Sequence, residues 1–264
     1  MKYESFEPSG SFFMLNENTM LGQGDCLEMM GQIPDGSVDL ILTDPPYGTT
    51  ACKWDSVIPF KPMWAELKRI IKPNGAIVLF GSEPYSSALR MSNIKQYKYD
   101  WVWDKKKSGN IFLAKHQPMK TFENILIFSK EKHHYFPIMK PREKIKKSKN
   151  YGTGEAIGGN RAAEDKVYTY KEKYPIAILE FSNASQKGKV HPTQKPVALL
   201  EYLIKTYTQE SETVLDFTAG SMSTAIACIN TNRKGIMIEK DEHYFKVGSD
   251  RVAQALQERG NNNI

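Results

Sequence analysis

A carboxylate, two prolines and a phenol stand together in Thr43-Asp44-Pro45-Pro46-Tyr47-Gly48. Each proline removes a backbone donor and fixes φ, so the carbonyls of Asp44 and Pro45 are left as acceptors that no regular ladder can use. With the Asp44 side chain they make a small group of acceptors beside one flat ring. An exocyclic amino group on a nucleobase, entering edge-on with its face against Tyr47, would satisfy all of them. On these four residues alone, a strand followed by a proline-stiffened turn, with Tyr47 as packing, is the competing reading.

A second group lies far along the chain. Asp216-Phe217-Thr218-Ala219-Gly220-Ser221-Met222-Ser223-Thr224 leads from an apolar run into a helical one. Small residues at a strand-to-helix turn let a ligand approach the backbone, and the helix N-terminus offers free N–H groups to an anionic group. Twenty-three positions after Asp216, at the end of the next apolar run, sits Glu239, where an acid can accept both hydroxyls of a ribose. The pattern suits a nucleoside-containing cofactor, although one glycine is fewer than a dinucleotide fingerprint asks for.

These groups need a scaffold, and the apolar spacing supplies one. Val38 to Leu42 is short, branched and bounded by Pro34-Asp35-Gly36-Ser37, so it reads as a buried strand ending at Asp44. Further strands are expected at Ala76–Phe80, Tyr99–Trp103, Glu123–Phe128, Thr213–Asp216 and Gly235–Glu239. Helices are expected at Leu27–Ile33, Pro59–Lys72, Glu83–Ile94, Pro196–Thr208, Ser223–Asn230 and Glu242–Gln257. Alternating strands and helices predict an α/β fold with a mostly parallel sheet and helices on both faces, and the pair at 99–103 and 123–128 predicts an edge hairpin. Residues 1 to 19 carry no strong pattern and read as an arm across the surface. Gly22-Gln23-Gly24 has no strong strand in front of it, which disfavours a nicotinamide-dependent oxidoreductase.

Composition changes near Lys130. From there to Asn150 stand Lys130, Lys132, Lys140, Arg142, Lys144, Lys146, Lys147 and Lys149 against only Glu131 and Glu143. A solvated charged face and a phosphate-contacting surface are both compatible with such a run. Apolar pattern returns at Ile176–Phe181, which delimits an insertion of about 130–190 within one domain spanning 1–264. Lys105, Lys106 and Lys107 form a second basic cluster. The net charge of +6 across 264 residues favours a polyanionic partner. Cys26, Cys52 and Cys228 are odd in number, widely spaced and without histidines at metal spacing, so they read as reduced cytosolic thiols with no metal site. No apolar run reaches the length of a membrane helix, and the N-terminus has no signal-peptide pattern.

The two groups, with His191-Pro192-Thr193-Gln194-Lys195-Pro196 between them, resemble the S-adenosylmethionine-dependent DNA amino-methyltransferases that modify N6 of adenine or N4 of cytosine. The order, catalytic motif first and cofactor motif last, is that of the family's beta class, and the resemblance covers nearly all of residues 20 to 255. It implies a Rossmann-like methyltransferase fold in which Asp44 and the Pro45 carbonyl hold the target amine, beside Pro46, and Tyr47 stacks on an extruded base. It implies a cofactor loop at Asp216, Phe217, Ala219, Gly220, Ser221 and Met222, a ribose acid at Glu239, and an adenine-proximal acid at Asp25 beside Cys26. Thr193 and Lys195 match a segment lining the methionine end, while Trp103, Asn110 and Phe122-Glu123-Asn124 fall where the target pocket is shaped. The insertion becomes the target-recognition region, with Lys105, Lys106, Lys107, Lys140, Arg142, Lys144, Lys146 and Lys147 against double-stranded DNA. Similar enzymes often dimerise, which leaves a homodimer open.

Two positions depart from the family pattern. Phe217 stands where proline is usual, and Met222 where glycine is usual, at a place that permits φ > 0 or close approach to the ligand. Adenine is favoured as the target because Asp in the catalytic motif is the commoner choice of the family's adenine enzymes. The alternatives are N4 of cytosine and, from another class, a nucleic-acid-binding protein that kept the fold and lost catalysis through Met222.

Overall fold

In the computed structural model the described residues are 10–49, 55–109, 111–150, 164–183 and 194–261. The chain begins with strands β1 (Phe12–Asn16) and β2 (Thr19–Gln23), then α1 (Cys26–Met30), β3 (Val38–Thr43), α2 (Phe60–Ile70), β4 (Ile71–Gly81) and α3 (Tyr85–Ser92). It continues with β5 (Tyr97–Asp104), a short 3-10 turn (Ile111–Leu113), β6 (Phe122–Phe128), β7 (Lys140–Asn150), β8 (Glu164–Lys173) and β9 (Ile178–Glu180). The last third is α4 (Val197–Tyr207), β10 (Thr213–Asp216), α5 (Ser223–Asn230), β11 (Lys234–Glu239) and α6 (Glu242–Asn261).

Among the described residues, nine strands form one sheet in the order β1-β2-β11-β10-β3-β4-β6-β5-β9. The run from β2 through β4 is parallel, whereas β6 is antiparallel to both β4 and β5. The central strands are buried on both faces, so their apolar residues alternate between two cores rather than between core and solvent. Leu40, Leu42, Val78, Phe80 and Val214 face a core shared with α4, α5 and α6. Ile41, Ile77, Leu79 and Leu215 face a second core built on Met29 and Met30 of α1, Met63 and Leu67 of α2 and Leu89 of α3. Helices thus cover both faces, as the alternation predicts.

Four expectations are corrected. Residues 12–16 are strand β1, zipped antiparallel onto β2, rather than part of a surface arm. A strand therefore does lead into Gly24 and α1, although α1 is only a single short turn pair of five residues. The β5–β6 hairpin forms, yet neither strand is the outermost one, because β6 lies inside against β4 and β9 adds in parallel outside β5. The helix at 59–72 stops at Ile70 because Pro73 and Gly75 sit in the next strand, where Gly75 leaves no room for a Cβ against the Asp39 carbonyl, 2.8 Å away.

Residues Pro137–Ile176 separate as a compact unit of their own, narrower than the expected 130–190. This unit is a two-stranded antiparallel ribbon pairing Lys146 with Tyr170, Lys147 with Thr169 and Ser148 with Tyr168. Among the described residues no helix is long and apolar enough to cross a membrane, and no group of three or more His, Cys, Asp and Glu could hold a metal ion.

Candidate active site

Chain order reverses across the β10–β3 pair: from β3 the sheet proceeds to β4, and from β10 to β11 on the other side. Open α/β sheets open a crevice beyond the carboxyl ends of the strands at such a point. Here a cavity of about 920 Å³ opens, lined by Asp44 to Tyr47 and by Asp216 to Ser221. Both groups of chemistry-bearing residues therefore reach one space, though they are more than 170 positions apart in sequence.

The two loops are fastened directly to each other. Thr43 donates its hydroxyl to Asp216 Oδ1 at 2.9 Å and accepts the Phe217 N–H at 3.0 Å. The Thr218 hydroxyl donates to the Asp44 carbonyl at 3.0 Å. Thr224 completes the Asp216 shell with a 2.6 Å bond to Oδ2. Burial still dominates over these bonds and pushes the Asp216 carboxyl up to about 6. Asp216 thus acts first as the clamp between the two loops.

At the catalytic end, Asp44 Oδ1 accepts the Tyr47 hydroxyl at 2.6 Å, and Oδ2 is ion-paired with the Lys195 ammonium. Lys195 also lies 3.3 Å from Glu123 Oε2, a buried oxygen that accepts no hydrogen bond among the described residues. The other Glu123 oxygen pairs with Lys105 at 3.1 Å. The ammonium sits over the faces of Phe80 and Trp103, 5.0 and 5.8 Å from the ring centroids, so two quadrupoles and two carboxylates cage one cation. Burial raises the Asp44 carboxyl above its usual range despite Lys195, while Lys195 and Lys105 outweigh burial at Glu123 and hold it low. For Lys195, burial pulls down but the two carboxylates prevail, so the ammonium keeps its proton.

The loop that follows is held by a residue sequence reasoning did not single out. Asp55 Oδ1 accepts the N–H groups of Tyr47 and Gly48, each at 2.8 Å, and Oδ2 accepts that of Thr49 at 2.9 Å. One buried carboxylate thereby fixes three consecutive backbone donors. The Tyr47 ring stacks on Tyr85 at 5.1 Å and 28°, which sets its plane.

At the cofactor end, Gly220 turns at φ +51°, and its N–H donates to Glu239 Oε2 at 2.7 Å. Glu239 Oε1 accepts the Asp241 N–H at 2.8 Å, and burial raises this carboxyl. Ala219 is tied to the end of β11 through its N–H to the Ile238 carbonyl. Asp25 caps α1 through the Leu27 N–H and pairs with Lys240, which together outweigh burial and lower its carboxyl. Cys26 is buried beside it, with its thiol pushed up to about 12 by that burial, so it is an unreactive wall. Gln194 accepts from Ser221 Oγ at 3.2 Å, so Gln194 and Lys195 reach the cofactor loop and Asp44 from consecutive positions. Arg251 of α6 donates to the Ser221 carbonyl and the Ser223 hydroxyl, both at 2.9 Å; nothing in its sequence context marks it.

Met222 answers the question its position raises. It adopts the left-handed conformation, φ 57° and ψ 37°, so the backbone does take the shape glycine would supply. Its side chain is fully buried in the core shared with α5 and α6, outside the cavity lining. The room comes from Gly248 of α6, where a Cβ would lie 2.7 Å from Met222 Cγ. The methionine is accommodated by a glycine elsewhere, and the ligand space is left open. Phe217 is likewise buried, in the opposite core.

Of the expected basic contacts, Lys105 lies in the cavity on Glu123, and Lys106 is ion-paired with Asp104 at 3.0 Å and Glu180 at 3.1 Å, while Lys107 is exposed. Lys140, Lys144, Lys146 and Lys147 are exposed on the ribbon, and Arg142 is half-buried there, donating to the Glu172 carbonyl at 2.9 Å. Thr193 and Asn110 lie outside the described residues.

The chain is similar to known proteins in sequence and in fold. A family model described as DNA methylase, for N6 and N4 methyltransferases, matches residues 38–250. The DNA adenine methyltransferase YhdJ of Escherichia coli strain K12 is 30% identical over 251 residues, covering 90% of this chain and 83% of its own length. The type II methyltransferase M.HpaI of Haemophilus parainfluenzae is 27% identical over 244 residues, covering 86% and 72%. In fold, the chain is similar to the cytosine-N4-specific PvuII DNA methyltransferase at a TM-score of 0.65 and 18% identity, over 89% of this chain and 86% of that one. It is also similar to M1.HpyAVI in its complex with SAM, at a TM-score of 0.59 and 22% identity, over 88% and 99%.

Proposed function

This chain belongs to the N6/N4 DNA methylase family, and we propose that it transfers the methyl group of S-adenosyl-L-methionine to N6 of an adenine extruded from double-stranded DNA. The observation that carries this is the fastening of the Asp44 loop to the Asp216 loop by Thr43 and Thr218 across one cavity, with the Tyr47 hydroxyl on Asp44. A volume of about 920 Å³ is ample for a nucleoside cofactor and a base together.

The donor and acceptor set fits the cofactor. Glu239, half-buried and anchored by two backbone N–H groups, keeps free lone pairs for a ribose diol. Gly220 and Ser221 give a backbone a ligand can approach, and Asp25 lies at the adjoining wall. When bound, the cofactor supplies a sulfonium-activated methyl group, so no covalent nucleophile is required. The chain's own work is alignment and charge. Asp44 and the Pro45 carbonyl accept the two amine hydrogens and orient the nitrogen lone pair; Tyr47, its plane fixed by Tyr85, stacks on the base. Lys195 opposes the effect of burial on Asp44 and favours its carboxylate, and a carboxyl raised by burial is suited to receive the proton the methylated amine must lose. Extrusion costs a few kcal/mol, offset by stacking and backbone contacts. We assign target recognition to the 137–176 ribbon, whose exposed lysines and tyrosines suit a nucleic-acid groove.

The test is incubation of the chain and of its Asp44→Ala variant with unmethylated DNA and methyl-labelled cofactor, followed by nucleoside analysis. Label in N6-methyladenine that vanishes in the variant is expected. Label in N4-methylcytosine would overturn the base assignment, and cofactor binding without labelled DNA would overturn the substrate.

A further inference from the structure

Resting on the reading of this chain as a duplex-DNA methylase, we propose that the 3-10 turn Ile111–Leu113 is an apolar wedge. Phe112 enters the base stack and stands in for the extruded nucleotide.

Four observations lead there. Phe112 is 95% exposed and Ile111 69% exposed, with Leu113 also exposed, so three consecutive large apolar side chains face solvent. Surface apolar residues scattered singly are ordinary, whereas a run at a loop tip marks an interaction site. The tip is also held in shape. Ala114 donates to the Ile111 carbonyl at 3.1 Å, and His116 and Gln117 donate to the Leu113 carbonyl at 2.9 and 3.0 Å. Below it the stem is zipped by Lys105 N–H to Thr121 carbonyl at 2.8 Å and Gly109 N–H to Lys120 carbonyl at 3.4 Å.

The loop's position follows from the sheet. Strand β6 is antiparallel to both β4 and β5, so β5 ends on the same edge as β3, the edge that carries Asp44. Lys105, just beyond β5, and Glu123, at the start of β6, both line the cavity. The wedge therefore rises from the rim of the space that would receive the base.

Charge selects the occupant. Residues 105–122 hold five lysines and no acid. Lys105 and Lys106 are paired with acids at the base of the loop, and the loop's own charged side chains are all cationic; an apolar tip on such a loop suits a partner with a polyanionic surface and an apolar stacked interior, which is a nucleic-acid duplex. Apolar wedges of this kind part base steps, and a base stacked on an aromatic ring is held by attraction that any sequence can supply.

The experiment uses the full chain with Phe112→Ala and Phe112→Trp variants. The target site is first read from plasmid the wild type has modified. Duplexes then carry either the normal pair at the target or a target adenine facing an abasic position, which needs no unpairing. The alanine variant is expected to lose about tenfold or more in single-turnover rate on the paired duplex, in keeping with base–aromatic stacking. It should stay within about twofold of wild type on the unpaired one, with the tryptophan variant active on both. With 2-aminopurine as target, its fluorescence rise on binding should shrink in the alanine variant alone. Wild-type rates for the alanine variant on the paired duplex, or an equal loss on both duplexes, would overturn the wedge. So would a change in sedimentation without DNA, which would mean that Phe112 meets a second copy of the chain. A wild type that labels no DNA at all would sink the methylase reading itself.

Discussion

Replacing Lys195 with methionine removes a buried cation shared by two half-buried carboxylates, Asp44 on one side and Glu123 at 3.3 Å on the other. The stem of the side chain is conserved in shape, so its packing against Phe80 and Trp103 is retained and the electrostatic loss is isolated. Asp44 already has a raised carboxyl pKa because burial outweighs the ammonium, with the Glu123 charge adding to the rise and the Tyr47 hydroxyl opposing it. Lys105 stays paired with Glu123, while Tyr85 and Asp216 remain close by. Loss of an adjacent opposite charge raises a carboxyl by about 1 to 3 units. A protonated Asp44 can neither offset the positive charge that develops on the amine nor take up its proton. Each unit by which the pH falls below the new midpoint then removes about tenfold in rate.

The assay is kcat against pH from 6 to 9 under saturating cofactor, with cofactor affinity measured separately by calorimetry. The acid limb of Lys195→Met should move upward and its rate should climb towards wild type at high pH. Lys195→Arg should keep the wild-type limb, and cofactor affinity should change by no more than about twofold if Lys195 serves the amine end. Stability gives a second reading of the same charge. A carboxyl raised in the folded state destabilises the fold as pH rises through its folded value. The Tm of the methionine variant should therefore fall more steeply than wild type with increasing pH. A uniform loss of rate at every pH, or an unchanged profile, would refute the reasoning.

Asp55→Ala should orphan the N–H groups of Tyr47, Gly48 and Thr49. We expect roughly 2–4 kcal/mol of lost stability, or a kcat drop of 10²-fold or more with cofactor binding intact, read by thermal melts and single-turnover rates. Met222→Gly should relieve about 1–2 kcal/mol of left-handed strain yet forfeit about 2–5 kcal/mol of buried side chain, for a net loss in denaturant midpoint and unchanged cofactor affinity. Gly248→Ala should destabilise the wild type more than the Met222→Gly background, because two of its three close contacts are with Met222. Asp216→Asn removes a buried charge whose carboxyl is raised from 3.8 to about 6. Above pH 6 the variant should melt higher by an amount on the order of 1–3 kcal/mol, and the gain should vanish as the pH falls below 4.

The fold was legible where burial was strong. β3, β6, β10 and the Ala76–Phe80 stretch of β4 are short apolar runs, and their neighbours follow 3.6-residue spacing. β1 was missed because Phe12–Asn16 is half-exposed and shows no clean alternation, so only its pairing with β2 defines it. The inner place of β6 was missed because sequence orders strands in time, and β9, three residues long, carries too little pattern to announce an outer neighbour. In the site, motif residues could be named, but their functions in the architecture could not. Asp216 reads as a ligand residue and is found as a clamp; Lys195 reads with the cofactor loop and is found on Asp44, 151 positions away. Asp55 has no motif at all, because accepting three N–H groups depends on loop closure rather than on residue spacing.

The strand order also bears on how the chain is made. β2 has no partner beyond its own hairpin until β11 appears, and β3 gains β10 only when residues 213–216 exist. During synthesis the N-terminal hairpin and one side of β3 therefore wait, with their hydrogen-bonding edges unmatched, for the last fifth of the polypeptide. Contacts of such long sequence separation make folding slow and late, and leave an aggregation-prone intermediate in the meantime. Expression at lower temperature, or with holding chaperones, should raise the soluble yield more than any change to the finished molecule's surface.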